Sequence, residues 1–316
     1  PAADPAEAEG RALAGRPAAS LSEGVRGASG GSGLPTAGSC VHHVVGESPE
    51  SAEARGVFEF VASEPADVLV HALTARILGD GLGQAGLCRI PSELADRPTG
   101  LPGWEGVAGV RWVGGDPAGD VDPMTRARSV LERASQQLGA PRSILQWEGP
   151  SDLAMLLVVA GGAAERTRAV AEALCAAGLP TATLVIRLLA PFPQRPLVEA
   201  MDAVRARGAR VVVLPEAVRT RRLERGLRLA LGDSIQVDSL PREAAASDAA
   251  LREALRPLLP EGIELPDLAV APPEPKPAAA TAPEIPFERE VDFRPARTLP
   301  LLQQAQGSAE ERLAAL

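Results

Sequence analysis

The sequence predicts an α/β fold, a mostly parallel sheet flanked by helices, preceded by a small incomplete α/β domain and bounded by arms at both ends. Three observations predict it. From Ser143 onward, apolar runs of strand length alternate with segments of helical periodicity. The strongest runs, 153–160, 181–189 and 210–214, are near-continuous Leu, Val and Ile, as strands must be when helices cover both faces of a sheet. Finally, Gly161-Gly162 stands between one such run and a helical segment, where a tight strand-to-helix turn needs residues without a Cβ.

In chain order, residues 1–36 are rich in Ala, Gly, Ser and Pro and lack sustained periodicity, which predicts a flexible arm. Order is expected from Gly38, with strands at Ser39 to Val45 and Gly56 to Ala62. Ser63-Glu64-Pro65-Ala66-Asp67 then supplies a capping serine, an early proline and acidic groups near a positive dipole end. The helix it starts runs to about Leu78, with Val68, Leu69, Ala72, Leu73, Ala75 and Ile77 as its apolar positions. Leu87 to Ile90 and Val107 to Val113 are short strand candidates. Asp122-Pro123 opens a helix to Leu138 that Gly139-Ala140-Pro141 stops.

Beyond it the expected order is strand 143–147, strand 153–160, helix 163–177, strand 181–189, helix 196–207, strand 210–214, helix 218–231, strand 235–238 and a helix over 247–259. From residue 266 prolines prevent regular structure. Yet Phe287, Val291, Phe293, Leu299, Leu301 and Leu302 are too apolar for a spacer and predict a segment that packs on a neighbouring surface, its own or a partner's.

Composition narrows the chemistry. A net charge of −9 over 316 residues does not promise the basic face that phosphate neutralisation needs, so nucleic acid is not an expected partner. No run reaches the ~18 consecutive apolar residues of a membrane span, and the segment from Pro1 lacks the regions of a signal peptide, so a cytoplasmic location is expected. Cys40, Cys88 and Cys175 lie far apart without CxxC or ligand-like His spacing, which gives no support to zinc, a cysteine-ligated iron-sulfur cluster or a disulfide framework. The only lysine, Lys276, sits among prolines, which leaves no buried Schiff-base lysine.

The candidate motifs are few. Gly81 to Gly86 spells GxGxxG but follows a helix and precedes a strand, the reverse of the order that presents a helix N-terminus to a pyrophosphate. Gly79-Asp80-Gly81 matches the GDG that begins the metal-diphosphate motif of thiamine diphosphate enzymes, but that motif takes a later asparagine as second ligand and the chain has none; a helix C-cap and loop is expected instead. Gly161, Gly162 and Ala163, at the start of a helix, are the anion-site candidates on geometry, although Glu165 can itself satisfy the dipole. His42 and His43 point to opposite faces of a strand, and His71 lies mid-helix among apolar residues, so all three read as packing or surface groups. Arg187, late in an apolar strand, must pair with a carboxylate or reach the sheet edge where ligands bind. Arg219, Arg221, Arg222, Arg225 and Arg228, interleaved with Leu223, Leu227 and Leu229, make a basic helix that is a solvated face or a surface for an acidic partner.

Taken together, Gly149-Pro150-Ser151-Asp152, Gly161-Gly162-Ala163, Gly178, Ile186-Arg187-Leu188-Leu189, Pro191-Phe192-Pro193 and Val211 to Glu216 resemble the second domain of pyruvate:ferredoxin oxidoreductases and related 2-oxoacid:ferredoxin oxidoreductase alpha subunits, which is similar to the transketolase C-terminal domain. Arg55 to Ser63 resembles the late part of that family's pyrimidine-side thiamine domain. The resemblance covers about 38–240, with no counterpart for the glutamate that activates the aminopyrimidine, and Ala190 stands where the family has arginine.

It implies an arm over 1–36, a reduced thiamine-pyrimidine-like region over 37–121, a connecting helix over 122–142, a transketolase C-terminal-like domain over 143–260 and a Pro-rich tail over 261–316. It further implies a non-catalytic or co-catalytic subunit that binds no cofactor alone, with thiamine diphosphate, Mg and iron-sulfur clusters on partner chains. The alternative is a catalytically silent member that serves assembly of a different redox complex.

Overall fold

A computed structural model describes residues 18–23, 40–45, 58–82, 86–91, 94, 122–138, 141–214, 222–232 and 235–265, the first two segments by backbone alone. Both of its sheets lie in one compact unit, Pro1–Leu268. The predicted strand at 107–113, the turns at 139–140 and 215–216, Arg219, Arg221 and the tail with Phe287, Val291, Phe293, Leu299, Leu301 and Leu302 fall outside the described residues.

The first sheet contains β1 (Ala18–Glu23), β2 (Cys40–Val45), β3 (Phe58–Val61), β4 (Gly86–Ile90) and β8 (Leu188–Ala190), in the order β1-β2-β4-β3-β8. The pairs β1/β2, β2/β4 and β4/β3 are parallel and β3/β8 is antiparallel. Two of these strands depart from expectation. Ala18–Glu23 forms a strand within residues 1–36, expected as an arm. Leu188–Ala190, expected as the end of a long strand of the second domain, pairs instead with β3.

Helix α1 (Pro65–Leu82) continues four residues past its expected end and takes Gly79-Asp80-Gly81 into its backbone, where a C-cap and loop were expected. Its fully buried stripe is Asp67, Val70, His71, Thr74, Ala75 and Leu78, while Val68, Leu69, Ala72, Leu73 and Ile77 are half-buried. The stripe keeps the i, i+3, i+4 spacing of a core face but carries three polar residues. Thr74 meets the demand of burial by donating to the Val70 carbonyl, 2.7 Å. Helix α2 (Pro123–Gln137) starts as expected, with Asp122 accepting from the Thr125 N–H. Its Ala127 and Leu131 join Phe58, Phe60, Val70, Leu78 and Cys88 in the core of this half.

The second sheet contains β5 (Leu145–Glu148), β6 (Met155–Val159), β7 (Thr181–Ile186), β9 (Arg210–Val213) and β10 (Val237–Ser239), in the order β10-β9-β6-β7-β5, parallel except for the edge pair β5/β7. The period of two sorts its continuous apolar runs into two cores. Leu156, Val158, Leu184, Ile186, Val211 and Val213 face α4 (Gln194–Ala200), α5 (Asp202–Arg207) and α6 (Arg222–Leu231). Met155, Leu157, Val159, Val185 and Val212 face α3 (Ala164–Ala176) and α7 (Asp248–Leu255). Each such side chain removed from water contributes roughly 1.5–3 kcal/mol. The class is therefore α/β, with mostly parallel sheets flanked by helices.

The helix expected over 196–207 is interrupted by a turn at Met201, which gives α4 and α5. On α6, Leu223 and Leu227 point inward, whereas Arg225 and Arg228 are exposed, Arg228 beside Glu224 at 3.0 Å, and Leu229 is 66% exposed. Gly226 lets this helix settle against the ring of Phe192, which follows the cis Ala190–Pro191 bond. A Cβ on residue 226 would overlap the ring, so Gly226→Ala should lower stability by about 1–3 kcal/mol. Thermal melts of Gly226→Ala, Phe192→Leu and the double variant check this. A smaller loss in the double variant than in the sum of the two singles is expected, and an unshifted midpoint for Gly226→Ala would refute the contact.

Candidate functional site

One residue, Arg187, separates β7 in the second sheet from β8 in the first. Its N–H donates to the Ile144 carbonyl at 2.9 Å, and its own carbonyl accepts from the Val61 N–H at 2.8 Å. The peptide therefore bonds to both halves of the molecule. Its side chain is fully buried, where an uncompensated guanidinium would be prohibitive.

Compensation comes from Asp67 on the buried stripe of α1. Arg187 Nε donates to Asp67 Oδ2 at 3.0 Å, and Nη1 donates to Gln146 Oε1 on β5 at 2.6 Å. Nη2 lies 3.7 Å from Glu64 Oε1, a charge contact without a hydrogen bond. Asp67 Oδ1 accepts from Arg142 Nε at 2.7 Å, while Oδ2 also accepts from the N–H groups of Ser63 and Glu64 at 2.9 and 3.2 Å. The carboxylate of Asp67 thus caps α1, and the Ser63 hydroxyl, expected as the cap, makes no hydrogen bond.

The ring of partners closes through Glu64. It accepts from Arg142 Nη2 at 2.6 Å and from Arg168 Nη2 on α3 at 2.7 Å; Arg168 Nε also reaches Glu148, which in turn accepts from the Gln146 amide. Three carboxylates, Glu64, Asp67 and Glu148, thereby face three guanidiniums, Arg142, Arg168 and Arg187. Burial alone would raise the pKa of Asp67, but Arg187, the charged form of His71, the Ser63 N–H and Arg142 outweigh it and hold it at about 2. Burial would lower the pKa of Arg168, but Glu148 and Glu64 raise it instead.

One turn along α1, His71 is buried with its ring 5.3 Å from that of Phe60, and neither ring nitrogen has a hydrogen-bond partner. Burial, reinforced by Arg187 and Arg142 and only partly offset by Asp67, pushes its pKa down to about 4, so it is neutral at pH 7. A second buried pair, Glu59 and Arg89, lies on β3 and β4.

Of the four candidate residues, Gly161 and Arg187 both meet Val61, one through its open side and the other through its carbonyl. Gly161 has φ +83° and packs its open side against Val61 and Pro91, where a Cβ would come within 3.2 Å of Val61. Gly162 and Ala163 lead into α3, whose first turn carries Glu165. Arg187 directs its donors to Asp67 and Gln146. Its pairing with a carboxylate follows from burial of a charged residue in an apolar run. Arg142, Gln146, Glu148 and Arg168 were not singled out in the sequence, and Asp67 was named only as an acidic group near the dipole of its helix. The available signal was the stripe Asp67, His71, Thr74, whose spacing places all three on one helix face.

Among the described residues no group of three or more His, Cys, Asp or Glu could hold a metal ion, and no helix is long and apolar enough to cross a membrane. Cys88 is buried in the apolar core, which pushes its thiol pKa up, and the Cys175 sulfur accepts from the Thr181 N–H at 3.2 Å. These carboxylates and guanidiniums are engaged with one another. Chemically, the arrangement positions backbone; it presents no activated nucleophile.

No family model matches the chain, and no curated protein matches it. Among solved structures, the 2-oxoglutarate:ferredoxin oxidoreductase from Magnetococcus marinus, with 2-oxoglutarate, coenzyme A and succinyl-CoA bound, aligns with a TM-score of 0.47 and 13% identity, over 74% of this chain and 52% of that one. A split-gene transketolase, an inactive β4 tetramer, aligns with a TM-score of 0.47 and 13% identity, over 79% of this chain and 80% of that one. The chain thus spans about half the length of the first. The α/β class rests on the two sheets themselves.

Proposed function

We propose that this chain is a non-catalytic or co-catalytic alpha-type subunit of a 2-oxoacid:ferredoxin oxidoreductase-like complex, with a transketolase C-terminal-like second half that scaffolds partner chains. One observation carries the reading. Ile186 to Pro193, part of the family resemblance, is the segment that passes from one sheet to the other, and its charged residue holds the two together.

Two features of the described residues support placing the cofactors that the resemblance implies on partner chains. Gly79, Asp80 and Gly81 continue α1 rather than forming a loop around a diphosphate and its metal, and the chain has no asparagine to complete the motif. Cys88 and Cys175 are engaged in separate packing environments rather than in a cluster. Thiamine diphosphate, Mg and iron-sulfur clusters accordingly belong on partner chains in this reading. The partner-binding segment is the apolar run Phe287, Val291, Phe293, Leu299, Leu301 and Leu302, and the location is the cytoplasm.

Isothermal titration of the isolated chain with thiamine diphosphate and Mg should register no binding, and micromolar affinity would overturn the assignment of the cofactor to another chain. Purification of the chain from its native cells should bring down a protein carrying thiamine diphosphate and iron-sulfur clusters, cross-linked to residues 286–302. A partner without thiamine diphosphate would favour the different redox complex, and cross-links confined to this chain would refute the scaffold.

A further inference from the structure

We infer that the network centred on Arg187 is an ionic latch that makes the two sheets open as a single unit. Apolar side chains also join the two halves. Val61 on β3 and Leu189 on β8 enter the core of the second sheet, and Ile144 enters that of the first. Apolar contacts tolerate sliding, because hydrophobic attraction is not directional. The network does not. Arg187 binds Asp67 from α1 and Gln146 from β5, and Glu64 at the start of α1 binds Arg168 from α3. All of these bonds exist in one placement of α1 relative to the second sheet.

Any partial separation leaves the buried Arg187 charge without Asp67 while both remain out of water, which is costlier than either the closed state or full unfolding of one half. Fixing a register is the best-attested use of buried ion pairs. The main chain acts in the same sense: Val61, Arg187 and Ile144 form a continuous bonded row from β3 to the residue before β5. Freeing β3 from the row also frees β8, which is one residue from β7.

Native-state hydrogen exchange on the full chain at pH 7, in low concentrations of denaturant, tests the latch. In the wild type the slowest amides of β3 and β4 should share one opening free energy and one denaturant dependence with those of β6 and β7. In Arg187→Gln the common opening should be lost, with β3 and β4 exchanging about tenfold faster than β6 and β7. Separate openings in the wild type would overturn the latch, as would an equal acceleration of both sheets in Arg187→Gln, the signature of general destabilisation. Should Arg187→Gln fail to fold, Gln146→Ala removes the second partner of the guanidinium, together with the hydrogen bond from Gln146 to Glu148. It should split the openings in the same direction by a smaller factor, and parallel acceleration of the two sheets would again refute the proposal.

Discussion

Asp67→Asn should destabilise the folded chain by about 3–5 kcal/mol at pH 7, the range for breaking a buried pair by removing one partner. The carboxylate accepts from two guanidiniums and two backbone N–H groups, and both of its oxygens are used. An asparagine keeps the volume but replaces one acceptor by an NH2 group, which would face either Arg142 or Arg187 donor to donor. Arg187, with no exposed surface, then loses its hydrogen-bonded anion and keeps Glu64 at 3.7 Å as a charged partner beside the neutral Gln146. Denaturant titrations of the two proteins measure the difference, and a loss below about 1 kcal/mol, as surface pairs give, would show that solvent reaches the network. Arg128→Ala, which removes an exposed i,i+4 pair with Glu132 at 2.9 Å, is the control and should change stability little.

Acid should weaken the fold as pH falls from 6.5 toward 4. His71 has its pKa lowered from 6.5 to about 4, so the unfolded chain binds a proton in this interval that the folded chain refuses. Stability must then rise with pH across that window: the contribution is complete above 6.5 and is lost as pH falls toward 4. At 1.36 kcal/mol per pKa unit, the loss is about 3 kcal/mol. The groups around the imidazole act together, since Arg187 and Arg142 oppose its charge and Asp67 favours it too weakly to offset burial. Below pH 3.8 a second loss begins, because Asp67 is held at about 2 when folded and its stabilisation disappears as it takes up a proton. Denaturation midpoints measured from pH 7 to pH 3 should follow this two-stage decline. His71→Leu, which removes nitrogens that have no hydrogen-bond partner, should flatten the stage between 6.5 and 4 and also shrink the lower one, because the charged imidazole helps to hold Asp67 down. An unchanged slope in that variant would exclude His71 as its source.

Strand and helix periods were readable from 143 to 259 because the second sheet is covered on both faces and each strand is an uninterrupted apolar run. The break at Arg187 was not, since Thr181 to Ala190 is one continuous run with no turn residue in it. Pairing of Leu188–Ala190 with β3 is decided by a contact some 130 residues away in sequence, between Phe60 and Leu188, and no local pattern encodes that. The site behaved likewise. Burial of a charge predicted a carboxylate for Arg187. Which carboxylate, and that Arg142, Gln146, Glu148 and Arg168 would gather with it, depended on where α1 and α3 meet β5.

What the sequence determined by itself was the α/β class, the parallel core strands, the Asp122 cap and the requirement that Arg187 be paired, since each follows from periodicity, local hydrogen bonding or the cost of burying charge. Tertiary structure alone decided that one apolar run serves two sheets, that Asp67 is the carboxylate hydrogen-bonded to Arg187, and that His71 is held neutral. These outcomes depend on distances between elements remote in the chain, and hydrogen bonds and Coulomb forces act on such distances, not on sequence separation.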